Sequence, residues 1–332
     1  MSDVSALVIV FGLALALSGI LTISILWYAR RMHLLDQPGR RRSHSVPTPR
    51  GGGVSFVLVQ LGFIAWAVAQ GFAWTGMLLG LAGIAVVGFA DDHRPMSASV
   101  RLFVHVLGAA LTLLLLESPP ASAVWFALSM LWIVAMTNAW NFMDGINGLA
   151  SFNAMLGFVA YALLAFLDGR PEVVVLAVVA AGATTGFVPF NFPRAKIFMG
   201  DVGSGSLGFL LAAIAVLLWT GDSAGIVLLF PVFSMVADAG LTLASRVGRG
   251  RRWYAPHREH LYQWLVRSGY SHAQVVLGFV AFNVLIVLPH MLIARTYPAL
   301  SIFALFSAIA LATVLWVGGK RYCLSRIRCL KT

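Results

Sequence analysis

The chain has 332 residues, 60% of them hydrophobic and only 11% charged, with a mean hydropathy of +0.88. That balance excludes an ordinary soluble domain. The net charge of +11 would suit nucleic acid, but no aromatic–basic interleaving accompanies it, so nucleic acid is excluded as a partner. The arginine clusters instead flank apolar runs, where they orient a membrane chain and attract anionic headgroups.

In chain order, apolar runs occupy residues 6–29, 52–71, 74–90, 100–117, 121–137, 152–167, 172–189, 205–220, 224–245, 273–294 and 298–318. Crossing a hydrocarbon core of ~30 Å takes about 20 residues, so these runs predict an all-α polytopic membrane protein. It would have about eleven helices in a single integral membrane domain over 1–332. The first run follows an acidic start and ends at Arg30 and Arg31. It lacks the basic flank and small-residue cleavage site of a signal peptide, so it is retained with the N-terminus outside. The inner segments are then 30–51, 91–99, 138–151, 190–204, 246–272 and the tail from 319. Of the 23 Lys and Arg residues, only Arg170 and Arg295 fall outside, as the positive-inside rule requires. Cys323 and Cys329 lie in the inner tail with no metal-ligand spacing. The outer connections are short turns, whereas the inner ones are longer, polar and Gly-rich. Function therefore belongs to the inner face. No internal repeat or inverted symmetry marks a transporter, and no span offers a clear GxxxG face for a dimer.

The first inner loop, DQPGRRRSHSVPTPRGGG over residues 36–53, ends in three glycines at a span entrance. Backbone N–H groups of such a run can cradle an anion, with Thr48 and Arg50 as further donors; a basic loop with a hinge is the plainer alternative. The second, GFADDHRPMSASVRL, sets Asp91 and Asp92 at the negative end of a helix, where they repel the dipole and each other. That arrangement invites a cation, or raises one acid toward the range of a general base. Arg101 opens the next span with His105 one turn later. It is placed either to grip a phosphate at the membrane surface or to anchor the helix there.

The third segment, TNAWNFMDGINGLA, puts Asn138, Asn141 and Asp144 on one helical stripe, with Gly145 and Gly148 permitting a break. Such hard oxygen ligands suit Mg²⁺ or Mn²⁺. After Asn191, Pro193 and Lys196 comes KIFMGDVGSGSLGF, where Asp201 sits at the favourable start of a helix among glycines that would expose backbone donors. The last loop carries Arg246, Arg249, Arg251 and Arg252, then His257, Arg258 and His260. With no third soft ligand, zinc is a poor fit and a diphosphate clamp a better one. Asp238, inside the ninth run, is a partner for Arg246 or a supporting acid. Carboxylates near hydrocarbon depth are costly. Three acidic clusters on one face therefore predict a single anionic centre for a divalent metal and a phosphorylated substrate.

In this order, PTPRGGG, ADD…SVRL, NxxNxxDGINGLA, FMGDVGSGSLGF and HREHLYQ resemble the motifs of the polyprenyl-phosphate N-acetylhexosamine-1-phosphate transferases. These bacterial enzymes begin O-antigen, enterobacterial common antigen and wall-polymer synthesis. They are related to the muramyl-pentapeptide transferase and the eukaryotic dolichol enzyme. The likeness runs from Asp36 to Gln263. It implies a multi-pass enzyme of the bacterial inner membrane with its active site and C-terminus in the cytoplasm. Undecaprenyl phosphate would attack the β-phosphorus of a UDP-N-acetylsugar, releasing UMP. The resemblance further implies Mg²⁺ on Asp201, with Asn141 or Asp144 beside it, and Asp91 and Asp92 as base or nucleophile, Asp144 joining the catalytic acids. Asn147 matches a position for uracil recognition, with Asn138 and Lys196 on the same nucleotide side. His257, Arg258 and His260 match the loop that closes on the diphosphate. Arg101 matches the residue for the lipid phosphate, Thr48 and Arg50 being grouped with it. HREH in place of a triple histidine, and Asn147 in place of an aspartate, favour the O-antigen branch with UDP-GlcNAc or a 6-deoxy-N-acetyl sugar as donor. A transporter or flippase of an anionic lipid-linked substrate is the alternative, and homodimerisation stays open.

Overall fold

The computed structural model describes residues 2–37, 46–120, 122–219, 223–252 and 257–329. Arg40, Arg41 and Arg42 of the first inner loop, and residues 253–256 of the last, lie outside the described residues. The elements are α1 (Ser2–Arg31), a hairpin of β1 (Leu35–Asp36) and β2 (Thr48–Pro49), α2 (Val54–Ala69), α3 (Thr75–His93), α4 (Ala98–Leu114), α5 (Ala123–Met143), α6 (Leu149–Leu167), α7 (Pro171–Asn191) and α8 (Gly200–Leu218). A 3₁₀ segment, Ser223–Val232, leads into α9 (Phe233–Val247). Then follow α10 (Leu261–Arg267), α11 (His272–Phe282), α12 (Leu288–Thr296) and α13 (Ser301–Cys329), with a π turn, Asn283–Val287, joining α11 to α12.

Among the described residues, nine helical segments are long and apolar enough to cross a membrane, and α2 and α4 are shorter apolar helices. Together they occupy the eleven expected positions, so the chain is an all-α polytopic membrane protein. Several helices run further inward than their hydropathy suggests. α5 continues past residue 137 to Met143, and α8 begins at Gly200 rather than 205. Polar residues are carried on the inner ends of both.

Lipid tails are as apolar as leucine, so helices in a membrane associate through close van der Waals packing between small residues. Gly80 on α3 lies against Gly108 on α4, where an added Cβ would meet the Gly108 carbonyl oxygen at 2.8 Å. Gly182 on α7 meets the Phe11 carbonyl of α1 in the same way, at 2.6 Å. At the centre stands α8, buried over nearly its whole length and packed chiefly on α5 and α3. Gly88 abuts the backbone of Val202, where a Cβ would meet Cα at 2.6 Å. That contact sets the inner end of α3 against the start of α8. At the other end, Arg295 pairs with Asp168, and Arg170 pairs with Glu172 at 2.7 Å and reaches the Leu217 carbonyl. Both arginines expected outside thus sit together at the end of the bundle away from Asp201.

Candidate active site

Three helix ends meet at the face opposite Arg170 and Arg295: the last turn of α3, the last turn of α5 and the first turn of α8. They enclose a cavity of about 290 Å³ whose walls include Asp36, Asp92, Asn141, Asp144, Asn147 and Asp201, together with Arg50 and His272. Only Ile146 and Phe198 give it large apolar side chains. The expected convergence of distant acids is therefore present.

Asp92 is 1% exposed, and both its oxygens are engaged: Oδ1 accepts the N–H of Asp201 at 3.1 Å and Oδ2 that of Val202 at 3.3 Å. A carboxylate from the end of one helix thus caps another, satisfying orphan donors and complementing the positive pole of the dipole. Its neighbourhood forbids any side chain at Gly200, whose φ is +74° and whose Cβ would fall on the Asp92 carboxylate. One expectation is corrected: the α8 start does not offer those two donors to a phosphate. The triple glycine is corrected likewise: Gly52 and Gly53 donate to the Phe198 and Met199 carbonyls at 2.9 and 2.8 Å, tying the first inner loop to the approach to α8.

Arg101 bridges the other two acids through one nitrogen. Nη1 donates to Asp201 Oδ2 at 2.7 Å and to Asp91 Oδ2 at 3.0 Å. Asp91 also accepts the Met96 N–H at 2.6 Å, closing the turn before α4, and it does not line the cavity. Asn141 lines the cavity together with Asp201. Around Arg101 the surface of α4 is apolar and open, with Leu102 48% and Phe103 66% exposed. Arg101 therefore stands on the lipid side of the carboxylates.

Asp144 caps the C-terminus of α5. Burial, reinforced by the charges of Asp201 and Asp92, pushes its carboxyl up to about 8. Among the described residues, no three His, Cys, Asp or Glu groups already stand close enough to cage an ion. Mg²⁺ does not need such a cage, since it commonly takes one or two carboxylates, several waters and substrate phosphates. Asp201 with Asn141 and Asp144 is an all-oxygen set of that kind, so the residues present fit a hard divalent cation.

Beneath Asp144 lies α10. Asp238, buried in α9, accepts the N–H groups of Leu261 and Tyr262 at 2.8 and 3.3 Å and the Trp316 indole at 3.1 Å. It is not the partner of Arg246, which pairs with Glu259. Held this way, Tyr262 donates through its hydroxyl to the Phe142 carbonyl at 3.2 Å, and its ring fills the space where Gly145 would carry a side chain.

Several expected residues lie off the cavity. Asn138 turns to the Val134 carbonyl and to His105 at 3.3 Å, breaking the stripe with Asn141. Thr48 is buried in the hairpin and donates to Val46. Lys196 is exposed beside Phe190. His257, Arg258 and His260 also lie off its wall. The two imidazoles lie 4.9 Å apart with their planes tilted, and His260 stacks on Tyr262. Burial first, and then neighbouring charge, lowers each to about 4, so both are neutral at pH 7. Asn147 does face the cavity, held by the Pro193 carbonyl at 3.1 Å and by its own N–H to His272 Nδ1 at 3.3 Å. Asn191 stitches this loop to the next, accepting from Gly148 and donating to Ile197. His272 was not anticipated. The Ser271–Gln274 capping box that starts its helix was readable, but which cavity the following ring would enter was not.

A family model, Glycosyl transferase family 4, matches residues 74–219. The chain is 28% identical over 320 residues to the "Probable undecaprenyl-phosphate N-acetylglucosaminyl 1-phosphate transferase" of Bacillus subtilis (strain 168), covering 91% of this chain and 89% of that one. It is 31% identical over 313 residues to the decaprenyl-phosphate N-acetylglucosaminephosphotransferase of Mycobacterium tuberculosis (strain CDC 1551 / Oshkosh), covering 77% and 76%. With the phospho-N-acetylmuramoyl-pentapeptide-transferase of Streptococcus thermophilus (strain CNRZ 1066) it shares 30% identity over 250 residues, covering 64% and 74%.

Proposed function

The chain belongs to glycosyl transferase family 4, and from that premise we propose that it transfers an N-acetylhexosamine 1-phosphate from a UDP-sugar to undecaprenyl phosphate. The N-terminus would lie outside and the site on the cytoplasmic face of a bacterial inner membrane. The reaction would open synthesis of O-antigen or a related surface glycan, with UDP-GlcNAc or a 6-deoxy relative as donor. An oxygen of the lipid phosphate forms a bond to the β-phosphorus, the bridge to the α-phosphorus breaks, and UMP departs with the bridging oxygen.

The observation that carries this reading is the meeting of Asp144 and Asp201, from distant segments, in a polar cavity at helix ends, with Arg101 on its lipid side. A membrane-confined acceptor and a cytosolic donor can meet only at such an interface. Phosphoryl transfer needs positioning and charge neutralisation more than covalent help. Mg²⁺, or Mn²⁺, held by Asp201 and Asn141 with Asp144 alongside, would supply that neutralisation when bound. Asp92 fixes the α8 start and so the direction of Asp201. Arg101, exchanging its carboxylate partners for a phosphate, would orient the acceptor. Asn147 offers its amide oxygen to the nucleotide, since its nitrogen is engaged by Pro193. A transport pathway would want acids along a mid-membrane passage, whereas these stand at helix termini.

The test is release of UMP by the purified protein, given undecaprenyl phosphate, Mg²⁺ and a panel of UDP-N-acetylsugars. Turnover with at least one donor is expected; silence across the whole panel would sink the reading.

A further inference from the structure

We propose that Arg50 is the residue that receives the diphosphate of the nucleotide-sugar donor, leaving Arg101 alone to serve the lipid phosphate. This rests on the function proposed above, and it separates two arginines that the sequence grouped on the acceptor.

Of the two, only Arg50 lines the cavity. Arg101 is absent from the cavity wall, is bonded to Asp91 and Asp201, and borders the exposed apolar face of Leu102 and Phe103. Arg50 lines the cavity itself, together with Asn147 and His272. Its backbone is fixed directly after β2, donating to the Leu34 carbonyl at 3.1 Å. The cavity contains almost no apolar side chain, which suits a water-soluble reactant and not a prenyl tail.

The Arg50 guanidinium also lacks a partner. Its Nε is sealed from solvent with no hydrogen bond, and it forms no ion pair with any described residue, although Asp92 feels its charge. A buried, charged donor left unmade is costly, and a planar guanidinium matches phosphate oxygens with two parallel N–H groups. Arg50 shares this cavity with the carboxylates of Asp144 and Asp201. A diphosphate brings that guanidinium the paired anionic oxygens it lacks, while the carboxylates remain for a divalent ion.

The experiment compares wild type, R50A, R50K and R101A in detergent. UDP serves as the binding probe by titration calorimetry, and KM is measured separately for the UDP-sugar and for undecaprenyl phosphate. R50A is expected to weaken UDP by about tenfold or more, the usual effect of losing a charged hydrogen bond, and to raise the donor KM similarly. The lipid KM should stay within about twofold, since Arg101 is untouched. R50K should recover part of the affinity, because it restores charge without the fork. R101A should show the reverse split. Where R50A fails to elute as a monodisperse peak, R50Q replaces it. UDP binding by R50A equal to wild type, or a loss confined to the lipid KM, overturns the proposal and leaves Arg50 a mere counter-ion for Asp92. Should the wild type itself neither bind UDP nor release UMP, the function proposed above fails, and this inference falls with it.

Discussion

The Asp92 carboxylate accepts the backbone N–H of Asp201 at 3.1 Å, so one acid of the cluster holds the turn that aims another. Replacing Asp92 by Asn leaves one acceptor oxygen and turns an amide N–H₂ against a backbone donor. The α8 start then loses a cap and its charge complement, worth about 1–2 kcal/mol. D92N should therefore lower the thermal midpoint in detergent as well as turnover, whereas D201N should abolish turnover with the midpoint near wild type. A D92N protein as stable as wild type yet inactive would mean that Asp92 acts in the chemistry and not as a cap.

Arg101 holds Asp91 and Asp201 with one nitrogen, in the place where a divalent ion would compete for the same oxygens. R101A should tighten Mn²⁺ binding to the substrate-free protein by about fivefold, the order expected for removing a partly exposed ion pair. Paramagnetic titration reads this without turnover. The KM for undecaprenyl phosphate should rise more than that for the donor. Weaker Mn²⁺ binding would instead mean that Arg101 orients the ligand oxygens.

Gly145 and Tyr262 form a tight joint below Asp144. A Cβ at Gly145 would collide with the tyrosine hydroxyl oxygen before any other atom. G145A should destabilise by about 1–3 kcal/mol, the usual cost of overpacking. Y262F alone loses one hydrogen bond to Phe142, worth about 1 kcal/mol. Because Phe removes the atom of the closest collision, leaving ring carbons at 2.9 and 3.0 Å, the double variant should be more stable and more active than G145A. Additive losses in a double-mutant cycle would show that the two positions do not communicate.

The spans were legible because a bilayer demands long apolar runs whatever their neighbours. Asp144 and Asp201 were legible because a carboxylate beside glycines at a span end has few purposes. The lateral fit was not. Protein-facing and lipid-facing sides of a membrane helix are equally apolar, so no periodicity announced that Gly88 sets α3 against α8, or that Asp92 would meet N–H groups 109 residues away. Asn138 and Asn141 share a stripe in sequence, yet one turns to His105 and the other lines the cavity, a choice made by where α4 and α8 stand. The free N–H groups expected of Gly52 and Gly53 were claimed by a strand-like approach whose path only the fold determines.

The loop after α9 should make stability depend on acid. Burial, then the charges of His260 and Arg246 around His257 and of Lys320 and Arg246 around His260, outweighs the opposing pull of Glu259 and holds both imidazoles at about 4. In the unfolded chain they would titrate near 6.5. Between those values the unfolded state binds more protons than the folded one, so stability falls as pH drops from 6.5 toward 4. Glu259 adds in the same direction: burial raises it, but its bond to Arg251 and the charges of Arg246 and Arg251 leave it below the usual value. Its contribution is lost below the unfolded pKa. The thermal midpoint of the wild type should decline across that window, and that of the H257Q/H260Q double variant should decline less steeply. Equal slopes would mean that the imidazoles are already charged when folded.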